Sequence, residues 1–162
     1  MLAPVPLPDI IMRNALIALF LGLSLAAFAA SGPYDESADA RADIQRALVA
    51  AKAANLPVLV VFGANWCADC KVLDGAFKSG PAAALIGARF QVVKVNVGRF
   101  NVNTDVADAY GVPLKQGIPT VAVLSPQGQV VYASTGGELA DARHMGDQAI
   151  YDFFVKVSGT HR

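Results

Sequence analysis

Val58-Leu59-Val60-Val61-Phe62-Gly63-Ala64-Asn65-Trp66-Cys67-Ala68-Asp69-Cys70 is the stretch on which the reading of this chain turns. It opens with five apolar, largely β-branched residues, the composition of a buried strand. It closes with two cysteines three positions apart, and the chain has no others. An amphipathic helical pattern follows, from Ala68 to about Phe77. A Cys-x-x-Cys pair at a strand-to-helix junction points to redox chemistry. Residues i and i+3 of a first helical turn lie on one face, close enough to bridge. The unpaired N–H groups and the positive dipole end favour a thiolate at Cys67. Cys70, one turn further in, is placed to attack the mixed disulfide that Cys67 forms with a substrate.

Other uses of two cysteines fit less well. An inert structural disulfide over three residues closes a tiny loop and stabilises little. A zinc site needs more ligands than one Cys pair, and the remaining candidates are His144 and His161, the latter second from the C-terminus. Lys71 follows Cys70, which excludes haem attachment through Cys-x-x-Cys-His. No metal site and no cofactor beyond the cysteine pair are therefore expected.

Composition bounds the rest. At 162 residues, one domain with a proper core is expected. Thirteen basic and thirteen acidic residues are scattered without blocks, so no nucleic-acid partner is expected. Upstream, Met12-Arg13-Asn14 supplies a short positive region and Ala15 to Phe28 an apolar core. Ala27-Phe28-Ala29 offers the small-x-small pattern of a signal-peptidase site. Residues 1–29 thus read as a signal peptide and 30–162 as the functional domain. Prolines at 4, 6 and 8 are unusual for such a segment, which makes Met12 a candidate start. The alternative is an uncleaved anchor, although the core is shorter than the ~20 apolar residues of a spanning helix. Membrane contact is expected only through this segment. A periplasmic or secreted location follows, where disulfide chemistry has substrates.

The remaining pattern predicts a helix over Ser37 to Ala54, a strand to Phe62, and the helix after the cysteines. A second short helix follows over Pro81 to Gly87, then a β-branched strand from Phe90 to Val97. Thr104 to Tyr110 reads as a short helix capped by Thr104 or Asn103. Ile118 to Leu124 and Gln129 to Ala133 flank Ser125-Pro126-Gln127-Gly128 and read as a hairpin. A final helical region, broken near Gly146, runs to about Val157. This order gives a βαβ crossover followed by an antiparallel hairpin in one mixed sheet.

Over roughly Pro57 to Val157 the chain resembles the thioredoxin family. The resemblance rests on Trp66-Cys67-Ala68-Asp69-Cys70 and Gly117-Ile118-Pro119-Thr120, with Lys94-Val95-Asn96 between them. It implies an α/β fold of three layers, a central mixed β-sheet flanked by helices. It implies that Pro119 is cis beside the cysteines, and that the Ile118 backbone pairs with an extended substrate segment. Within the family the look is closest to exported thioredoxin-like proteins, including the reducing C-terminal domains of the DsbD type.

Four departures bear on function. Val61 stands where the family carries a buried acid, so Lys94 is expected to lack its partner and the proton route to Cys70 is open. Ala68-Asp69 between the cysteines puts a charge in the first helical turn. The connection before Pro119 is longer, through Phe100-Asn101-Val102-Asn103 and Pro113-Leu114-Lys115-Gln116. Glu138 to Gly146 reads as an addition before the last helix. Substrate choice is expected in the last two segments, on exposed loops.

The expected roles follow. Cys67 and Cys70 are catalytic; Trp66, Ile118 and Pro119 contact substrate; Ala68, Asp69 and Lys94 modulate. Asn65 and Lys71 are expected to be solvated flanks, and His144 a surface or capping residue. The chain reads as an exported thiol–disulfide oxidoreductase that reduces or isomerises protein or peptide disulfides, recharged by an upstream thiol donor. The alternative is a binding module of the same fold, a metal or haem-maturation accessory without turnover.

Overall fold

The computed structural model describes residues 32–159. The signal-peptide reading of 1–29 and His161 lie outside them. Helix α1 (Ala40–Ala54) leads into β1 (Val58–Gly63), α2 (Ala68–Lys78), α3 (Pro81–Arg89) and β2 (Gln91–Asn96). Then come α4 (Thr104–Ala109), a 3-10 turn at Leu114–Gln116, β3 (Thr120–Leu124), β4 (Val130–Ala133) and α5 (Ala142–Ser158). The sheet order is β2-β1-β3-β4. Strands β1 and β2 are parallel, and β3 runs antiparallel to both β1 and β4. This is the expected crossover plus hairpin, in a mixed four-stranded sheet flanked by five helices.

The central strand is buried along its whole length. Its side chains alternate between two cores, as strand geometry requires. Val58, Val60 and Phe62 join Ile44 of α1, Val106 of α4 and both cysteines on one face. Leu59 and Val61 join Leu73 of α2, Ile86 of α3 and Ile150 and Phe154 of α5 on the other. Burying one such side chain contributes about 1.5–3 kcal/mol, so this single strand carries much of the stability of the domain. A β1 sandwiched this way is held rigidly, and with it the loop that carries Cys67.

Element boundaries shift where local hydrogen bonds compete. Helix α1 starts three residues later than the pattern suggests. The Ser37 N–H and hydroxyl bond back to Asp35, while the Asp39 carboxylate accepts from the Arg41 and Ala42 N–H groups and caps the helix. Asn103 is the N-cap of α4, yet its side chain does not cap. It sits at φ 52° and donates Nδ2–H to the Asn96 carbonyl, 2.8 Å away, tying the loop to the end of β2. The break in α5 is at Gly146, whose φ of 71° suits glycine. No helix among the described residues is long and apolar enough to cross a membrane.

Candidate active site

The end of β1 delivers Cys67 to the N-cap position of α2, in extended backbone conformation. Its Sγ accepts the Cys70 N–H at 3.0 Å, which satisfies one of the helix's unpaired donors with sulfur. The two sulfurs are joined as a disulfide, with a Cα–Cα separation of 5.2 Å. Cys70 is fully buried, and Cys67 keeps 4% exposure. Cys67 Sγ also lies 3.5 Å from the Ile118 carbonyl oxygen, 51 residues on in sequence. The Ile118–Pro119 peptide bond is cis. Both residues are buried, so the loop before β3 is pressed against the disulfide.

Trp66 stands beside the pair with half its surface exposed. Its Nε1–H donates to the Gly98 carbonyl at 2.7 Å, and its ring meets Phe100 edge to face at 5.9 Å. The Arg99 guanidinium lies 5.6 Å from the indole, within cation–π range. Phe100 adopts φ 63°, unusual for an aromatic residue. The longer connection thus builds an aromatic shelf at the site. Beyond it lies a cleft of about 600 Å³, lined by Phe100, Thr104, Asp108, Pro113, Leu114 and Lys115.

Several expectations need correction. Lys94 does not lack a partner: its ammonium pairs with Asp74, which also accepts from Lys78 Nζ at 2.6 Å. Asp74 lies on α2, one turn beyond Cys70 in sequence. Burial opposes ionisation of Asp74, but the hydrogen bonds and charges of Lys78 and Lys94 win and hold its carboxyl below the ordinary range. Asn65 is not a solvated flank. Its side chain accepts the Tyr34 N–H and donates to the Tyr34 carbonyl, at 2.9 and 2.8 Å, and it also reaches Glu36.

Asp69 is not an open first-turn charge either. It is 8% exposed, and its Oδ1 accepts from both the backbone N–H and Nε–H of Arg143, at 3.0 and 3.1 Å. Burial again works against the ion, and the Arg143 bonds and charge outweigh it, so the carboxyl lies below its usual range. The addition that supplies Arg143 is not a free loop: Leu139 within it is fully buried. Lys71 is exposed as expected, and Ala68 is exposed as well. His144 is exposed, as expected of a surface residue, and it pairs with Asp141. Among the described residues no group of three or more His, Cys, Asp or Glu side chains is disposed to hold a metal ion.

The sequence reading missed Asp74 and Tyr34, and it singled out Phe100 and Arg143 only as members of the two added segments, without their contacts to Trp66 and Asp69. Asp74 had a signal, since it shares with Cys70 and Leu73 the inward helical face. Arg143 had none, because it meets Asp69 across 74 residues of chain.

Bridged sulfurs at a helix start, over a sheet of this strand order, are the marks of a thioredoxin-like disulfide oxidoreductase fold. Comparison with known proteins agrees. A family model described as thioredoxin-like matches residues 39–126, more than half of the chain. The chain belongs to the thioredoxin-like family. A solved structure of a disulphide isomerase from Xylella fastidiosa Temecula1 is similar at 49% identity and TM-score 0.77, covering 80% of this chain and 99% of that one. Likeness in fold alone extends to a thioredoxin from Thermus thermophilus, at 24% identity and TM-score 0.51, covering 70% and 82% of the two chains. It also extends to the oxidised DsbD C-terminal domain from Neisseria meningitidis, at 18% and 0.51, covering 77% and 97%. No curated protein matches the sequence.

Proposed function

We propose that the protein is an exported thiol–disulfide oxidoreductase that reduces or isomerises disulfides in proteins or peptides. The observation that carries this reading is the Cys67–Cys70 pair at the start of α2, with Cys67 Sγ bonded by the Cys70 N–H and facing the Ile118 carbonyl. In the reduced protein Cys67 is the nucleophile. Its thiolate attacks one sulfur of a substrate disulfide, forms the mixed disulfide and releases the other substrate sulfur as a thiolate. Cys70 then gives up its proton and attacks Cys67 Sγ. The Cys67–Cys70 bond forms, the second substrate thiolate leaves, and two electrons have passed from the pair to the substrate. An upstream thiol donor returns two electrons to the pair. In isomerisation the released substrate thiolate attacks a second disulfide of the same substrate, and the thiolate freed there attacks the substrate sulfur of the mixed disulfide, so a new pairing forms, Cys67 leaves as thiolate and the pair ends as it began.

Substrate docks across Trp66, Ile118 and Pro119, where the exposed indole offers apolar area and the Ile118 backbone an edge for an extended segment. Ala68, Asp69 and Lys94 act through their surroundings rather than by contact. The chemistry needs no cofactor beyond the cysteines. The 49% identity to a disulphide isomerase supports this reading. Turnover of a scrambled disulfide-bonded protein in a glutathione buffer tests it: the wild type should regain native pairing catalytically and Cys67→Ser should not. Tight metal uptake with negligible turnover would instead establish the binding-module alternative. Location is tested by sequencing the amino terminus of protein recovered from a host with an export pathway. Ala30 as first residue is expected, and a full-length cytosolic chain would refute export.

A further inference from the structure

Asp69 lies between the two cysteines, in the first turn of α2. A carboxylate there opposes a second negative charge on the nearby Cys67 sulfur. Yet the structure surrounds it with compensation drawn from a distant segment. Leu139 pins that segment into the core. At Gly137 a Cβ would come within 2.4 Å of the Gln116 carbonyl, and at Gly117 within 2.8 Å of Ala140 Cβ. Residues 137–143 therefore pack closely on the stretch leading to Pro119 while Arg143 reaches the cysteine turn. One oxygen, Asp69 Oδ1, takes both Arg143 bonds, and the carboxylate is almost wholly withdrawn from water. The carboxylate is buried while the Arg143 side chain stays half exposed, so solvent screens the pair only in part and the cation still counts.

We propose that Arg143 is a positioning residue for the redox pair: by holding and neutralising Asp69 it leaves the start of α2 free to favour a Cys67 thiolate. This rests on the reading above that Cys67 is the nucleophile, although the charge effect can be measured without turnover. Removing the guanidinium leaves Asp69 anchored by backbone N–H groups only, with its charge uncompensated. The Cys67 thiol then becomes harder to ionise and the reduced form less stable.

The test is titration of Cys67 in the reduced protein, followed by ultraviolet thiolate absorbance and by alkylation rate, in four variants. Arg143→Met should raise the Cys67 pKa by about one unit, a tenfold loss of thiolate below the pKa. At a pH where Cys67 is ionised in both proteins, the glutathione equilibrium should move about tenfold toward the disulfide, or ~30 mV downward in potential. Arg143→Lys should retain most of the wild-type titration, since it keeps the charge. Asp69→Asn should shift the pKa the other way, and Asp69→Asn with Arg143→Met should return it close to wild type. A folded Arg143→Met protein with unchanged Cys67 titration would overturn the proposal, as would Arg143→Lys behaving like Arg143→Met. Were Cys67 not the nucleophile in turnover, the scrambled-protein assay would fail while these titrations still reported on Arg143.

Discussion

Replacing Asp74 with Asn removes one charge, almost without change of shape, from a carboxylate bonded to two lysines. The Asp74 side chain is only 10% exposed, and its partners differ: the Lys94 side chain is 24% exposed and that of Lys78 70%. Breaking a buried pair by removing one partner costs about 3–5 kcal/mol, whereas a solvated pair contributes about 0.2–1 kcal/mol. The Lys94 contact lies between these limits and Lys78 at the lower one. Asp74→Asn should therefore destabilise the fold by about 2–3 kcal/mol. With a urea slope of about 1.5 kcal/mol/M, the midpoint should fall by about 1.3–2 M at unchanged slope. Adding Lys94→Met should recover about 1 kcal/mol, because the stranded ammonium is then gone. The pH dependence has a definite sign. The folded pKa of Asp74 is depressed from 3.8, so its contribution is complete above the unfolded value and is lost as pH falls through the folded one. The gap between wild type and Asp74→Asn should be constant from neutral pH to about 5 and close below about 3.8. A midpoint shift under about 0.3 M at neutral pH would refute the view that Asp74 is the structural partner of Lys94.

Alkylation of the reduced protein at mildly acidic pH should label Cys67 before Cys70; mass mapping that found Cys70 first would remove the nucleophile assignment. Equilibration with glutathione should place the couple nearer about −270 mV than about −120 mV, and a value at the oxidising end would refute the reductive reading. Gly63→Ala should unfold the protein at lower temperature by an amount on the order of 10 °C. The added Cβ would sit 2.2 Å from the Tyr34 hydroxyl oxygen in a buried site. An unchanged melting temperature would show that Tyr34 can move aside.

Much of the fold was legible because local signals agreed with one another. Val58–Gly63 announces a doubly buried strand by its unbroken apolar run, and Ser125–Gly128 announces the hairpin by its turn residues. The Cys67–Cys70 pairing was legible because a three-residue spacing at a helix start brings the two sulfurs within bridging distance. What stayed hidden depends on contacts across the chain. Lys94 was expected to stand alone because Val61 stands where the family carries its acid, but the lysine pairs with Asp74 of α2 instead. The charge of Asp69 was visible in sequence, and its cancellation by Arg143 was not. Asn65 next to Trp66 looked like loop polarity, since nothing nearby showed Tyr34 coming back to meet it.

That meeting of Asn65 and Tyr34 changes what the stretch before α1 is. Two reciprocal bonds make the amide of Asn65 act as a backbone neighbour to Tyr34, as a strand would. The phenol is sunk beneath Gly63 with 1% exposure. The residues just ahead of α1 are consequently a wall of the loop that presents Cys67, not a spacer. An affinity tag or fusion partner joined at Tyr34 would pull on that wall, and one joined at the C-terminal end of α5 would spare it. Trimming the chain to begin at Asp35 would leave Asn65, two positions before Cys67, without its two bonds to Tyr34.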